Sequence, residues 1–145
     1  MRTPVALLFA AALLPAGCAD DDATTWNGPP PAQPGQAEVS VEEFNDYAAA
    51  ADEAWGRLAV ATAVSFALAD GESASTVLTS RPQGEGAATV RITLSGLEDD
   101  SVEAVRWEIR LRRGGDERWR LTSARRAYRC HRGRGQRSFS AEFCL

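Results

Sequence analysis

The sequence has 145 residues, a formal net charge of −4 and 44% hydrophobic residues, enough for a single domain built around one core. All 16 formal positive charges are arginine, because the chain contains no lysine. The longest apolar run is far shorter than the roughly 20 residues that span a bilayer, so we expect no transmembrane helix in the mature protein.

The N-terminus has the three-part pattern of a secretory signal. Arg2 gives a short basic start, Val5–Leu14 is the apolar run, and small residues follow it. We therefore expect residues 1–17 to be a signal peptide and the protein to be exported. The rest of the chain then folds in a compartment where disulfides persist.

The segment 15–18, Pro-Ala-Gly-Cys, resembles the bacterial lipobox, in which small residues precede a cysteine that receives diacylglycerol. The family usually has leucine three residues before the cysteine, whereas this chain has Pro15 there and Leu14 one residue earlier. The resemblance implies a lipid on Cys18, which would hold the protein at the cell membrane or outer envelope with its domain outside the cytoplasm. The alternative is ordinary cleavage near Ala19, giving a secreted protein without a lipid.

Residues 18–37 are predicted to form a flexible tether between the lipid and the domain. The segment begins with acidic residues at 20–22 and contains a proline-rich stretch, Asn27–Gly35. Stretches of this composition stay extended and solvated. Trp26 is the exception, because an indole ring can dock on the domain or on lipid headgroups.

The folded domain, residues 38–145, begins with a predicted amphipathic helix. Ser40 is the predicted N-cap, and Glu43 would complete a capping box. The segment 58–69 alternates like a strand, but its alanines favour a second, buried helix. Apolar residues of the first helix recur at helical spacing up to a break or kink at Gly56: Val41, Phe44, Tyr47 or Ala48, Ala51, Trp55 and Leu58.

Antiparallel strands are predicted after the helices. Residues 75–80 form a short strand, and apolar and polar residues alternate in 89–94, 105–112 and 118–122. A hairpin turn is expected at 114–116. The alternation of apolar and polar positions shifts by one residue before Tyr128, which predicts a β-bulge near Ser123 and Ala124.

These elements predict an α+β domain with one or two N-terminal helices packed on a three- to four-stranded antiparallel sheet. The element order, with a tryptophan near the turn of the last hairpin, resembles the cystatin-like and nuclear-transport-factor-like cone folds. Folds of this kind host enzymes, binding modules and assembly modules alike.

Cys130 and Cys144 are predicted to form a disulfide that staples the C-terminal tail. The bridge would close a loop of about 15 residues, worth roughly 3 kcal/mol in the chain-entropy model. A zinc site at Cys130, His131 and Cys144 is the alternative, but it lacks a fourth ligand, and adjacent side chains diverge in an extended segment. We therefore predict no metal and no cofactor.

The charges are unevenly distributed: Cys18–Val105 contains three arginines against sixteen acidic residues, and Arg106–Leu145 contains twelve against four. The two halves either compensate each other or leave a basic surface for an envelope protein, an anionic polymer or lipid headgroups. Nucleic acid is not expected outside the cytoplasm. Five arginines of the hairpin are predicted to share one sheet face: Arg106, Arg110, Arg112, Arg118 and Arg120. Six more extend this patch: Arg125, Arg126, Arg129, Arg132, Arg134 and Arg137.

The sequence offers few candidate catalytic residues, and we predict that none of them is catalytic. Asp99 and Asp100 could hold a cation or act as an acid–base pair, but an aspartate-rich stretch between strands is typical of a turn. His131 is the only histidine, and no motif supplies it with a nucleophile and an orienting partner.

Three short motifs occur in the back half of the chain: Asp99-Asp100-Ser101-Val102, Trp119-Arg120-Leu121 and Cys130…Gly133-Arg134-Gly135…Phe139-Ser140…Cys144. Together they resemble lipoproteins of unknown activity from GC-rich, actinobacterial-type organisms. The resemblance implies an envelope lipoprotein, for which our first hypothesis is a non-catalytic binding or assembly module. The alternative is a small-molecule-binding or hydrolytic domain whose helix–sheet cleft is lined by aromatic residues: Phe44, Tyr47, Trp55, Trp107 and Trp119.

Overall fold

In the computed structural model, one five-stranded antiparallel sheet carries two α-helices on one of its faces. The structure describes residues 26–31, 33, 35–68 and 75–145; the leader, Cys18 and the first part of the predicted tether lie outside them. The helices are α1 (Glu42–Ala51) and α2 (Ala59–Ala67). The strands, in the order β1-β5-β4-β3-β2, are β1 (Glu38–Val39), β2 (Ser75–Pro82), β3 (Ala87–Ser95), β4 (Val102–Arg113) and β5 (Trp119–Cys130).

The α+β class is confirmed, and the strand count of three or four is wrong. The fifth strand, β1, has two residues, too few to show an alternating pattern. It pairs antiparallel with β5 at Ala124 and Arg125. No helix within the described residues is long and apolar enough to cross a membrane.

Helix α1 begins and ends differently from the prediction. Its N-cap is Val41, with no side-chain cap hydrogen bond, so the expected capping box is absent. The helix ends at Ala51, because Asp52 adopts a left-handed φ of 45°. Gly56 lies in a 3-10 turn that follows, and Leu58, predicted to continue the apolar stripe, is 63% exposed. The second helix, α2, is confirmed.

The core lies between the helices and the sheet. Phe44 of α1 and Phe66 of α2 are fully buried and meet edge to face, with ring centroids 5.3 Å apart. Phe66 also meets Trp107 of β4 edge to face at 5.4 Å. The sheet contributes alternate residues of its strands to this core, among them Val90, Ile92, Leu94, Ile109, Leu111 and Leu121.

A β-bulge lies in β5 close to its predicted place. Arg110 pairs with Ser123 and Leu111 with Leu121, so Thr122 is the extra residue. A second irregularity, which the sequence did not predict, lies between Val102 and Ala104 of β4. Because each extra residue reverses the in–out alternation that follows it, the bulge at Thr122 decides which arginines face the helices.

Two of the described residues N-terminal to β1, Trp26 and Pro30, contact the domain. The Trp26 ring stacks on Phe66 at 5.6 Å and meets Phe44 edge to face at 5.1 Å. The Pro30 carbonyl accepts a hydrogen bond of 3.1 Å from Arg126. These contacts extend the packed part of the chain to Trp26, within the segment predicted to be tether.

Candidate anion-binding surface

The sheet face opposite the helices carries most of the hairpin arginines. Residues paired across antiparallel strands share a face, and Arg91, Glu108 and Arg125 form one row across β3, β4 and β5. Neighbouring rows place Arg110 opposite Thr89 and Arg112 opposite Arg120. We call this surface the arginine face, with the members Arg81, Arg91, Arg106, Arg110, Arg112, Arg120, Arg125 and Arg129.

Six of the eight members lie in the back half of the chain. The other two, Arg81 and Arg91, lie in the front half, where acidic residues outnumber arginines and no basic surface is predicted. A signal for Arg91 was present in the sequence. It alternates with Val90 and Ile92, which are both buried, so it had to point away from the core.

Arg118 does not belong to the arginine face, contrary to the prediction. Its guanidinium ion-pairs with Asp52 and donates hydrogen bonds to the carbonyls of Ala48, at 3.0 Å, and Glu53, at 3.3 Å. These groups lie at the C-terminal end of α1, where a cation is favoured by the unpaired carbonyls and the helix dipole. Arg118 therefore ties the last hairpin to α1.

Arg126 also lies on the helix side, because it pairs in register with Trp107. Its guanidinium carbon lies 5.1 Å from the Trp107 ring centroid and 5.7 Å from that of Tyr128. Burial lowers the pKa of Arg126 and raises that of Tyr128. With Pro30 as its hydrogen-bond acceptor, Arg126 fastens the N-terminal segment to the sheet.

One carboxylate, Glu108, faces several arginines of the arginine face. It accepts a hydrogen bond of 2.8 Å from Arg91. That hydrogen bond lowers the pKa of Glu108, and the charges of Arg91, Arg110 and Arg125 lower it further. The positive charge around Glu108 therefore exceeds what this side chain neutralises.

A shallow groove of about 280 Å³ runs over this part of the sheet. Arg81 on β2 and Arg110 on β4 flank Thr89 on β3 in one row of paired residues. Hydroxyl groups and guanidinium groups dominate the lining, which can donate hydrogen bonds to an anion. The lining residues are Thr79, Ser80, Arg81, Gln83, Thr89, Arg91, Glu108 and Arg110.

A second concentration of positive charge surrounds Phe139 of the C-terminal tail. The guanidinium carbons of Arg106 and Arg129 lie 3.7 and 5.1 Å from the Phe139 ring centroid. Burial lowers the pKa of Arg106, and the charges of Arg91 and Arg129 add to this effect. The ring face attracts both cations, which holds the tail against the sheet without neutralising them.

Acidic partners compensate some of the arginines. Asp116 accepts two hydrogen bonds from Arg120, at 2.9 and 2.6 Å, which lower the pKa of Asp116. Glu103 ion-pairs with Arg129 at 3.1 Å and also with Arg137. Within the described parts of the chain, the remaining members have no carboxylate within 4 Å: Arg81, Arg106, Arg110, Arg112 and Arg125.

The candidate catalytic residues occupy structural positions. Asp99 accepts hydrogen bonds from the hydroxyl and N–H of Ser101 and from the N–H of Val102, and these lower its pKa. Asp100 instead ion-pairs with Arg134 at 2.9 Å. The exposed His131 donates its backbone N–H to the Ser101 carbonyl. No group of three potential metal-ligating side chains occurs among the residues that the structure describes.

Cys130 and Cys144 lie at disulfide distance, with their Cα atoms 5.3 Å apart. The hydrogen bond from the Cys130 N–H to the Gln136 carbonyl brings the tail back along β5. Gly135 makes this close approach possible, since a Cβ there would lie 2.9 Å from the Cys130 Sγ atom. Pairing of the two sulfur atoms removes the thiolates that the zinc alternative requires.

The cleft between helices and sheet is filled by the core, since Phe44 and Trp107 of the predicted lining are buried. An open groove of about 310 Å³ lies instead at the edge of this core and is lined by half-buried residues. Tyr47 and Trp55 of the predicted cleft line this groove together with Trp26, which belongs to the predicted tether. Its lining residues are Trp26, Tyr47, Trp55, Val64, Ser65 and Leu68.

Comparisons of the chain with protein-family models, with curated proteins and with solved structures found no match.

Proposed function

We propose that this protein is an exported, lipid-anchored binding module whose arginine face binds an anionic component of the cell envelope. The observation that carries this proposal is the single carboxylate of Glu108 set against Arg91, Arg110 and Arg125. Like charges close together on one sheet face repel each other, and an external anion would relieve that repulsion. Guanidinium groups bind carboxylate and phosphate groups with paired hydrogen bonds, so either group suits the surface.

A linear polymer fits this surface better than a single small anion. Residues on the same face of a strand recur about every 7 Å, and Arg106, Arg110 and Arg112 occupy such positions along β4. A polymer that repeats its charges can therefore contact several members at once. The groove between Arg81 and Arg110 provides one place for a charged group of the polymer, with Thr89 as a further donor.

Two observations support the lipid anchor: the pattern of the leader and the pairing of the other two cysteines with each other. Residues 1–17 have the signal pattern, and Cys18 follows the small residues of the lipobox-like segment. Since Cys130 and Cys144 lie at disulfide distance from each other, Cys18 is left as the thiol for the lipid. The proposed relation to cone-like folds is based on the order of the elements alone, and it does not identify a ligand.

Binding of inorganic polyphosphate, a linear polymer of phosphate groups, tests the arginine face. We compare Arg81→Gln/Arg110→Gln with the matched control Arg57→Gln/Arg132→Gln, which removes two exposed arginines elsewhere. Titration at several NaCl concentrations should show that affinity falls as salt rises. The groove variant should bind roughly tenfold more weakly with a salt slope smaller by about 2, as expected for two lost phosphate contacts.

Equal affinities for the two double variants would contradict the proposal, as would an affinity that does not change with salt. Thermal unfolding of both variants shows whether the sheet is intact. A titration with polyglutamate in place of polyphosphate then separates carboxylate from phosphate as the preferred group.

Mass spectrometry of the protein from a membrane fraction tests the anchor independently. The expected N-terminal residue is Cys18 carrying diacylglycerol. An unmodified N-terminus at Asp20 would show cleavage after Ala19 and would rule out the lipid, but it would leave the arginine face to be judged by the titration.

A further inference from the structure

Helix α2 is uncharged on its outer side as well as on its inner side. The inner residues Thr62, Ala63, Phe66 and Ala67 are buried. The other residues between Val60 and the C-cap Leu68 are also without charge and are half-buried or exposed: Val60, Ala61, Val64, Ser65 and Leu68. Val64 and Leu68 cover the edge of the core with part of their surface and leave the rest exposed. A surface helix of a soluble domain normally has a charged outer face, so this side of α2 is suited to an apolar environment.

Aromatic residues surround this side of the helix. Tyr47 and Trp55 stack with ring centroids 6.3 Å apart, and Trp26 lines the same groove as Val64 and Leu68. Tryptophan and tyrosine combine an apolar ring with a polar group, and both are enriched where a membrane meets water. We call the six residues Trp26, Tyr47, Trp55, Val60, Val64 and Leu68 the α2 face.

The length of chain between the proposed anchor and the α2 face limits their separation. Trp26 follows Cys18 by eight residues, which span at most about 28 Å when fully extended. A lipid on Cys18 would therefore keep the α2 face within a short distance of the bilayer, whatever the conformation of the residues between.

We propose that the α2 face docks on the bilayer surface. This inference rests on the lipid anchor of the proposed function. Because the helices lie on the sheet face opposite the arginine face, docking would turn the arginine face away from the membrane and towards the envelope polymer. Helix α1 is acidic, with Glu42 and Glu43 exposed, so apolar contact drives the docking, and anionic lipid weakens it.

The test couples the chain from Cys18 to Leu145 through the Cys18 thiol to a maleimide lipid. The vesicles contain phosphatidylcholine with brominated acyl chains, which quench tryptophan fluorescence at short range. We expect quenching of the parent chain, with the signal at least halved in Leu58→Asp/Val60→Asp. This variant places charge on Val60 of the α2 face and on the exposed Leu58, the N-cap residue of α2 two positions earlier. The control Leu145→Asp changes another highly exposed leucine, 84% exposed against 63% for Leu58, and should be quenched like the parent.

Equal quenching of the double variant and the control, or no quenching of the parent, would overturn the docking surface. Analytical sedimentation without lipid tests whether a second copy of the chain covers the α2 face instead. A dimer that Leu58→Asp/Val60→Asp dissociates would assign the α2 face to that second copy and would also overturn the proposal. Thermal unfolding confirms that each variant is folded. The maleimide attaches the lipid chemically, so the quenching result does not depend on whether Cys18 is lipidated in the cell. Mass spectrometry of the N-terminus from a membrane fraction tests that lipidation separately.

Discussion

The side chain of Asn45 and the backbone of Leu121 hydrogen-bond to each other in both directions. The amide of Asn45 donates to the Leu121 carbonyl at 2.9 Å, and its oxygen accepts from the Leu121 N–H at 2.9 Å. The bulged residue Thr122 follows directly, and β1 reaches the edge of β5 only at Ala124 and Arg125. Asn45 thus acts as a one-residue substitute for a neighbouring strand and joins α1 to the sheet.

Asn45→Ala should destabilise the domain by about 1–3 kcal/mol, because it leaves a part-buried donor and acceptor of β5 unpaired. Asn45→Asp is the informative comparison, since it keeps the acceptor for the Leu121 N–H and loses the donor to the carbonyl. Urea unfolding should place Asn45→Asp between the parent and Asn45→Ala. A loss below about 0.5 kcal/mol for Asn45→Ala would show that water replaces the side chain.

The tail should depend on the bridge between Cys130 and Cys144. Intact mass after thiol blocking should show two more blocking groups when the protein is first reduced than when it is not. The unfolding free energy should then fall by about 3 kcal/mol for a loop of this length. Cys144→Ser should give a similar loss in the absence of reductant. An unchanged mass pattern with and without reductant would refute the disulfide.

Asp99 should make the stability of the domain depend on acid pH. Hydrogen bonds from Ser101 and Val102 lower its pKa below the ordinary value of 3.8 in the folded protein. A group of this kind stabilises the folded state above its unfolded pKa, and the contribution is lost as the pH falls through the lower folded pKa. The unfolding free energy of Asp99→Asn should therefore fall less than that of the parent between about pH 6 and about pH 2.5.

Ser101→Ala is the control for this effect, because it removes the hydroxyl donor to Asp99, the largest cause of the shift. The carboxyl of Asp99, followed by NMR, should then titrate at a higher pH than in the parent. An identical pH dependence of stability in the parent and Asp99→Asn would contradict the assignment.

The sequence predicted what repeats along the chain and failed where a single residue or a distant contact decides. Alternation predicted β3, β4 and β5, and the alanine content predicted α2. Arg126 lies on the helix side, opposite to the predicted face, because the extra residue Thr122 reverses the alternation of the β5 residues that follow it. Arg118 fits the alternation of residues 118–122, but it lies just before β5, and its place depends on Asp52 and the end of α1. Trp26 has no local pattern either, since its partners Phe44 and Phe66 are distant in sequence.

Gly56 and Arg118 should be energetically coupled. A Cβ on Gly56 would lie 2.9 Å from the Nη2 atom of Arg118. A flexible side chain could normally move aside, but this one is held by Asp52 and by the carbonyls of Ala48 and Glu53. Gly56→Ala should therefore destabilise the domain by about 1–2 kcal/mol, through loss of these hydrogen bonds.

A double-mutant cycle measures the coupling. Once Arg118→Gln has shortened the side chain, Gly56→Ala should cost little more, so the losses in unfolding free energy should fall short of additivity by about 1 kcal/mol. Arg112→Gln is the matched control, because Arg112 lies on the opposite sheet face and its loss should add to that of Gly56→Ala. Additive losses for Gly56→Ala and Arg118→Gln would show that the guanidinium moves aside, and that Gly56 is required for the backbone of the 3-10 turn instead.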